Sequence, residues 1–184
     1  MEIELSYTIQ MKQMKIRPAK QADATAIAKI HVGTWQHAYR GQVPDAYLDS
    51  LPATVEQRAE KWKETIGREQ RGMCVFVAED EKKIVGFCIV NPCRDDDMDE
   101  KTGELGAIYV DAKWIGKGAG SALMKAGLDF FKEVGFTKAT LWVLTSHTTS
   151  REWYEKKGWK LEGKKKIEER GDMTLDEIRY IISL

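Results

Sequence analysis

Two periods of apolar residues divide this chain, and the change falls just after Gly67. Before it the spacing is helical. In "ADATAIAKIHVGTWQHAYR", Ala22, Ala26, Ile27, Ile30 and Val32 recur three to four residues apart, which predicts a helix. Gly33 predicts a break in it, with a second helix from Thr34. Pro44 and Pro52 bound a further short segment. In "TVEQRAEKWKETIG", Val55, Ala59, Trp62 and Ile66 share one helical face. A short strand, "MKIRPA", precedes these helices and ends at Pro18.

After Gly67 the apolar runs are short and β-branched. "MCVFVAED" and "KIVGFCIVN", joined by a charged connection, predict a hairpin. An acidic loop, "RDDDMDEKTG", leads to the strand "ELGAIYV". A glycine-rich turn opens a helix with Ala119, Leu123, Ala126, Phe130 and Val134 on one face and Gly135 as its stop. Then come a strand, "ATLWVLT", a short helix, "TTSREWYEKKG", and the strands "WKLEG" and "LDEIRYIISL". The lysines of "KKKIEER" predict a charged hairpin between the last two. This order predicts an α+β domain: a mixed, mostly antiparallel sheet flanked by helices. One strand–helix–strand crossover over 105–144 supplies a local parallel pair.

Composition narrows the function. A chain of 184 residues fits one domain, placed over 14–184, with residues 1–13 as an N-terminal extension. Lys plus Arg number 29 and Asp plus Glu number 29, so net charge argues for neither nucleic acid nor an anionic membrane as partner. Cys74, Cys88 and Cys93 lack metal spacing and read as reduced thiols of a cytoplasmic protein. The apolar run from Ile84 to Val90 is too short to span a bilayer, and the N-terminus lacks the pattern of a signal peptide. His31 and His37 have no ligand spacing. "DDDMDE" fails as a calcium loop, with Glu100 at the glycine position and Gly106 at the closing glutamate position. No metal is expected, and the acidic loop is expected to be solvated.

"YVDAKWIGKGAGSALMK" places Gly116, Gly118 and Gly120 at the start of a helix. The first turn has unpaired N–H groups at its positive dipole end, and glycine lets an anion approach the backbone. The run from Gly116 through Lys117, Gly118, Ala119 and Gly120 to Ser121 therefore reads as a phosphate cradle. The alternative is glycine used only for tight packing. A P-loop is excluded because Gly118 follows Lys117, and the dinucleotide fingerprint because Ser121 stands where its third glycine belongs.

Here the chain resembles the GNAT superfamily of acetyl-CoA-dependent N-acetyltransferases, from about Lys15 to the C-terminus. Gly118 and Gly120 match the family's turn, Gln/Arg-x-x-Gly-x-Gly/Ala, and "SREWYEKKGW" resembles its "A-x-x-F-Y-E-K-x-G-F". The resemblance implies acetyl-CoA as acyl donor, with its pyrophosphate on the turn. It further implies an amine acceptor, a small molecule or a peptide, and leaves room for a homodimer. Ile115 departs from the family's Gln/Arg, with Lys117 near enough to supply the missing charge, and His147 stands where asparagine is frequent. Coenzyme contacts are implied at His147, at Ser150 and along the strand backbone at Ile108, Tyr109 and Val110. There, the N–H groups of Ile108 and Val110 would face the thioester and pantetheine.

Acetyl transfer needs a neutral amine, yet at pH 7 only about one lysine-like amine in a few thousand is neutral. Glu104, eleven residues before Ile115, matches the offset of the family's catalytic glutamate; the alternative is a solvent-facing strand acid. Tyr154 matches the tyrosine whose hydroxyl protonates the departing thiolate; the alternative is a core tyrosine. "TWQHAYRGQVP" resembles the acceptor-side segment, with Trp35, Tyr39, Arg40 and Gln42 lining the amine pocket. Aromatic packing alone is the other reading of Trp35. Arg40 would suit an amine that also carries an anionic group. The rival function is an acyl-CoA-binding regulatory domain without turnover.

Overall fold

The computed structural model describes residues 14–170 and 173–184; the extension expected over residues 1–13 lies outside the described residues. The strands are β1 Lys15–Pro18, β2 Cys74–Asp80, β3 Lys83–Pro92, β4 Thr102–Val110, β5 Lys138–Leu144, β6 Lys160–Arg170 and β7 Met173–Ser183. They form one sheet in the order β1-β2-β3-β4-β5-β7-β6. Every neighbouring pair is antiparallel except β4 and β5, which the crossover helix makes parallel. The helices are α1 Ala24–Ala38, α2 Asp45–Ser50, α3 Val55–Gly67, α4 Ala119–Val134 and α5 Thr148–Lys156. The α+β architecture is thus the expected one.

Two local expectations change. Helix α1 runs through Gly33 without a break. Gly33 lies on the exposed side, where glycine costs about 1 kcal/mol against alanine. Ile30, Val32 and Trp35 are buried on either side of it, and each such burial contributes about 1.5–3 kcal/mol, so packing decides. Strands β6 and β7 form the expected charged hairpin, but β6 extends to Arg170, so the lysine run lies within the strand. It lies at the edge of the sheet, where exposed lysines are compatible with strand and discourage pairing with another chain.

Helix α4 packs on one face of the sheet, where Leu123, Met124 and Phe131 meet Val90, Leu105 and Leu141. Helices α1 and α3 cover β2–β4 on the other face through Ile27, Ile30, Trp62 and Phe87. Across β5–β7–β6 the acidic loop lies over that second face; Asp96, Asp97, Asp99 and Glu100 are exposed, as expected of a solvated loop, but the loop is also pinned to the sheet. Asp95 and Asp97 hold the guanidinium of Arg179, whose side chain is wholly buried, and Asp99 binds Thr102 and Lys138.

Candidate active site

The site begins where two strands part. β4 and β5 pair only over Thr102–Glu104 against Lys138–Thr140, although both strands continue, to Val110 and Leu144. Gly106 is the residue that interrupts the β3–β4 register: Ile89 faces Ala107 and Val90 faces Leu105. A bulge of this kind bends and twists its strand. Asp111 N–H donates to the Val85 carbonyl at 2.9 Å. In an antiparallel ladder alternate residues face the partner strand, so Ala107 and Tyr109 bond towards β3. The N–H and C=O groups of Ile108 and Val110 therefore turn towards the opening beside β5. The Val110 carbonyl takes a hydrogen bond from Thr34 Oγ1 at 3.3 Å.

At the far end of β4 lies the glycine-rich turn. Gly116 and Gly118 have φ of 79° and 89°, in the left-handed region that favours glycine, and a Cβ at either would meet nothing within 4 Å. Gly118 is the N-cap of α4; Ala122 N–H bonds back to its carbonyl, leaving the first-turn N–H groups of Ala119, Gly120 and Ser121 without a helical partner. Gly120 is different. A Cβ there would stand 3.4 Å from Cζ2 of Trp153, an ordinary contact, so this position lies against α5 rather than in open space. Lys117 places its ammonium 4.7 Å from the ring centroid of Trp114, and Ile115 is 60% exposed.

His147 accepts from the Ser150 N–H through Nδ1 at 3.2 Å and so caps α5. The same ring stands edge-on to Tyr39, with centroids 5.6 Å apart. Tyr154 lies on the inner side of α5 in the core beneath α4, with Leu105 and Leu141. Its ring is buried, yet its hydroxyl forms no hydrogen bond among the described residues. Burial pushes its phenol well above the ordinary value, with Tyr109 and Cys88 adding to this. The same burial pushes the Cys88 thiol up to about 12, which keeps it protonated and inert.

Glu104 points to the opposite face from Leu105, because side chains alternate along a strand. Its carboxylate is buried and receives the Nη2 of Arg94 on Oε1 at 2.7 Å. Both residues line a cavity of about 360 Å³ together with Trp142, Lys166, Glu168 and Glu177. Glu104 and Tyr154 thus belong to opposite faces of the sheet at the place where β4 and β5 separate.

The acceptor-side segment divides. Trp35 is buried and donates its indole N–H to the Tyr109 hydroxyl at 3.0 Å. Tyr39 stands edge-on to Trp35 at 4.8 Å. Burial pushes the Tyr39 phenol well up, and the hydroxyls of Tyr109 and Tyr154 and the Glu177 carboxylate add to the effect. Gln42 accepts from Ser146 Oγ at 2.8 Å and lines a second cavity of about 300 Å³ with Leu144, Leu175 and Asp176. Arg40 is not brought to either cavity: its guanidinium binds Asp45 at 3.2 Å and Asp49 at 2.9 Å, tying α1 to α2. Among the described residues no group of His, Cys, Asp and Glu is placed to hold a metal ion, and no helix is long and apolar enough to cross a membrane.

Arg94 and Trp142 escaped the sequence reading. Arg94 opens the acidic loop, and only the folded loop carries it to Glu104. Trp142 looked like one more apolar strand residue, but it lies on the face opposite Leu141, under the Lys166 ammonium at 4.4 Å.

The acetyltransferase (GNAT) family matches residues 33–159. The uncharacterized N-acetyltransferase YuaI of Bacillus subtilis strain 168 is 38% identical over 130 residues, 70% of this chain and 70% of that protein. Human N-acetyltransferase 8 is 31% identical over 94 residues, 51% of this chain and 41% of the human protein. Among solved structures, the PaiA N-acetyltransferase of Thermoplasma acidophilum in complex with coenzyme A superposes with a TM-score of 0.71 at 19% identity, covering 91% of this chain and 99% of that one. At that identity the likeness speaks for the fold.

Proposed function

The chain belongs to the GNAT family of N-acetyltransferases, and on that premise we propose that it moves an acetyl group from acetyl-CoA to a primary amine by direct attack within a ternary complex. The observation that carries this reading is the parting of β4 from β5 at Glu104, with Tyr154 beside the opening.

The donor fits the residues present. The outward N–H groups of Ile108 and Val110 suit the amides and carbonyl of an extended thioester arm. The first-turn N–H groups of α4 suit a pyrophosphate, and the open space over Gly116 and Gly118 admits one. Ile115 brings no charge, so the backbone carries that contact with Lys117 beside it.

The remaining work is proton movement. Oε2 of Glu104 has no partner among the described residues and accepts a proton from the amine, directly or through one water. The amine nitrogen forms its bond to the acyl carbon, the carbon–sulfur bond breaks, and the Tyr154 hydroxyl supplies the proton to sulfur. Burial keeps Tyr154 protonated at neutral pH, and it raises the proton affinity of a thiolate in the same dry site in the same direction.

The test is release of free thiol from acetyl-CoA by the purified protein across classes of amine. Turnover of at least one class is expected. A protein whose melting temperature rises with acetyl-CoA but which releases no thiol with any amine is a binding domain instead.

A further inference from the structure

We propose that Arg94 selects the acceptor by binding a carboxylate on it, so that the substrate is a short amine carrying its own carboxylate, of the α- or β-amino-acid type. This rests on the reading of Glu104 as the base that receives the amine.

Arg94 and Glu104 differ sharply in exposure. The Arg94 side chain is 76% exposed and that of Glu104 only 6%, though they are joined at 2.7 Å. The guanidinium therefore lies at the mouth of the cavity and the carboxylate at its floor. A guanidinium has five N–H donors, and among the described residues Arg94 uses one, on Oε1 of Glu104. Its neighbour Asp95 makes no hydrogen bond to Arg94 among the described residues; its Oδ2 takes the Trp142 indole at 3.1 Å and Arg179 at 3.0 Å. A second carboxylate can therefore bind the free edge of Arg94 in a two-pronged manner while the first bond to Glu104 persists.

An acceptor held this way has its amine beside Oε2 of Glu104 and its carboxylate one guanidinium away. That span matches an amine and a carboxylate separated by one or two carbons. The charged groups on the cavity wall are the cations Arg94 and Lys166 and the carboxylates Asp95, Glu104, Glu168 and Glu177. Lys166 is paired with Glu177 at 3.2 Å and Asp95 with Arg179 at 3.0 Å, so Arg94 is the wall cation with donors to spare beside Glu104. An amine with no anion would leave the Arg94 edge unused. Arg40, the cation the sequence offered for this task, is already held by two aspartates.

The experiment compares α- and β-amino acids with their own carboxamides as acceptors of the full chain, each with saturating acetyl-CoA. For the wild type, kcat/KM for the free acid should exceed that for the amide by about 10- to 100-fold, the range expected for a charge-assisted, two-pronged contact. Arg94→Ala should shrink that ratio to within about threefold of unity, chiefly through KM for the acid, and Arg94→Lys should retain part of it. Arg94→Ala leaves the buried Glu104 carboxylate without its cation and should lower the melting temperature, Arg94→Lys less so, while both variants keep the rise of the melting temperature with acetyl-CoA. If Arg94 merely steadies Glu104, Arg94→Ala slows acid and amide alike and the ratio persists, which overturns the proposal. A wild type that prefers amides or polyamines overturns it too, while leaving the enzyme class intact. A wild type that turns over no amine at all removes the reading of Glu104 and this one with it.

Discussion

Arg179 donates to both oxygens of the Asp97 carboxylate, from Nη1 at 2.8 Å and from Nη2 at 2.7 Å, and its side chain has no exposure to solvent. Glu162 takes two further bonds, at 2.8 and 2.6 Å, and Asp95 one at 3.0 Å. The acidic loop is thereby fastened across β5, β7 and β6, and the same loop carries Arg94. Arg179→Met removes one side of a buried ion cluster. Such losses cost about 3–5 kcal/mol, and the part-exposed acids put this one near the lower end. A fall in Tm of roughly 6–12 °C is expected by calorimetry.

The cluster also sets a pH dependence. The hydrogen bonds of Arg179 hold Asp97 well below the usual carboxylate range and lower Glu162 as well. Groups whose folded pKa is depressed stabilise fully above their unfolded value, near pH 4, and this stabilisation fades as pH falls through the folded value. The stability gap between wild type and Arg179→Met should be flat from pH 6 to 8 and narrow progressively below about pH 4. Urea unfolding across that range checks it. A gap that stays constant in acid would assign the loss to packing of the arginine stem.

The contrast between this cluster and the glycine turn shows what the sequence could convey. Strands and helices follow from local periodicity, so the hairpin, α4 and the crossover are readable from their own residues. Gly33 misled because the anchors on either side of it, Ile30 and Trp35, are tertiary. The partners of Arg179 lie on the acidic loop and on β6, and nothing local in "DEIRYIISL" announces three carboxylates. Arg40 and Arg94 make the same point for the candidate site. Either could serve as the acceptor-side cation by type, and only the fold sends one to Asp45 and Asp49 and the other to Glu104.

Glu104→Gln removes the proton acceptor while keeping a hydrogen-bonding side chain for Arg94. The loss in kcat/KM should be greatest near pH 7, where about one acceptor amine in thousands is neutral, and smallest at alkaline pH, where the amine loses its proton unaided. Initial-rate profiles from pH 6.5 to 9.5 measure this. A loss of equal size at every pH would mark Glu104 as structural.

Tyr154→Phe deletes a hydroxyl that bonds to nothing among the described residues, so folding should scarcely register it. A Tm within about 2 °C of wild type is expected, since no intramolecular hydrogen bond is lost. Turnover should fall by about 10²-fold or more, in kcat rather than in KM. Unchanged kcat would leave Tyr154 as core packing against Trp159 and Tyr180.

The donor side can be tested by adding what the turn lacks. Ile115 is 60% exposed and precedes two glycines of positive φ, so Ile115→Arg has space for a guanidinium at little packing cost. A new two-pronged cation beside a pyrophosphate should lower the acetyl-CoA Kd by about tenfold. Gly120→Glu is the opposite change. Its Cβ would make ordinary contact with Trp153 at 3.4 Å, and a carboxylate in the first turn of α4 suits the helix dipole, so the fold should hold. The same negative charge would stand against the phosphates, and the rise in Tm with acetyl-CoA should disappear. Titration calorimetry on both variants separates the possibilities. If Gly120→Glu binds as tightly as wild type, the first turn of α4 is not the phosphate cradle. If Ile115→Arg changes nothing while Gly120→Glu abolishes binding, the backbone N–H groups alone already satisfy the phosphates.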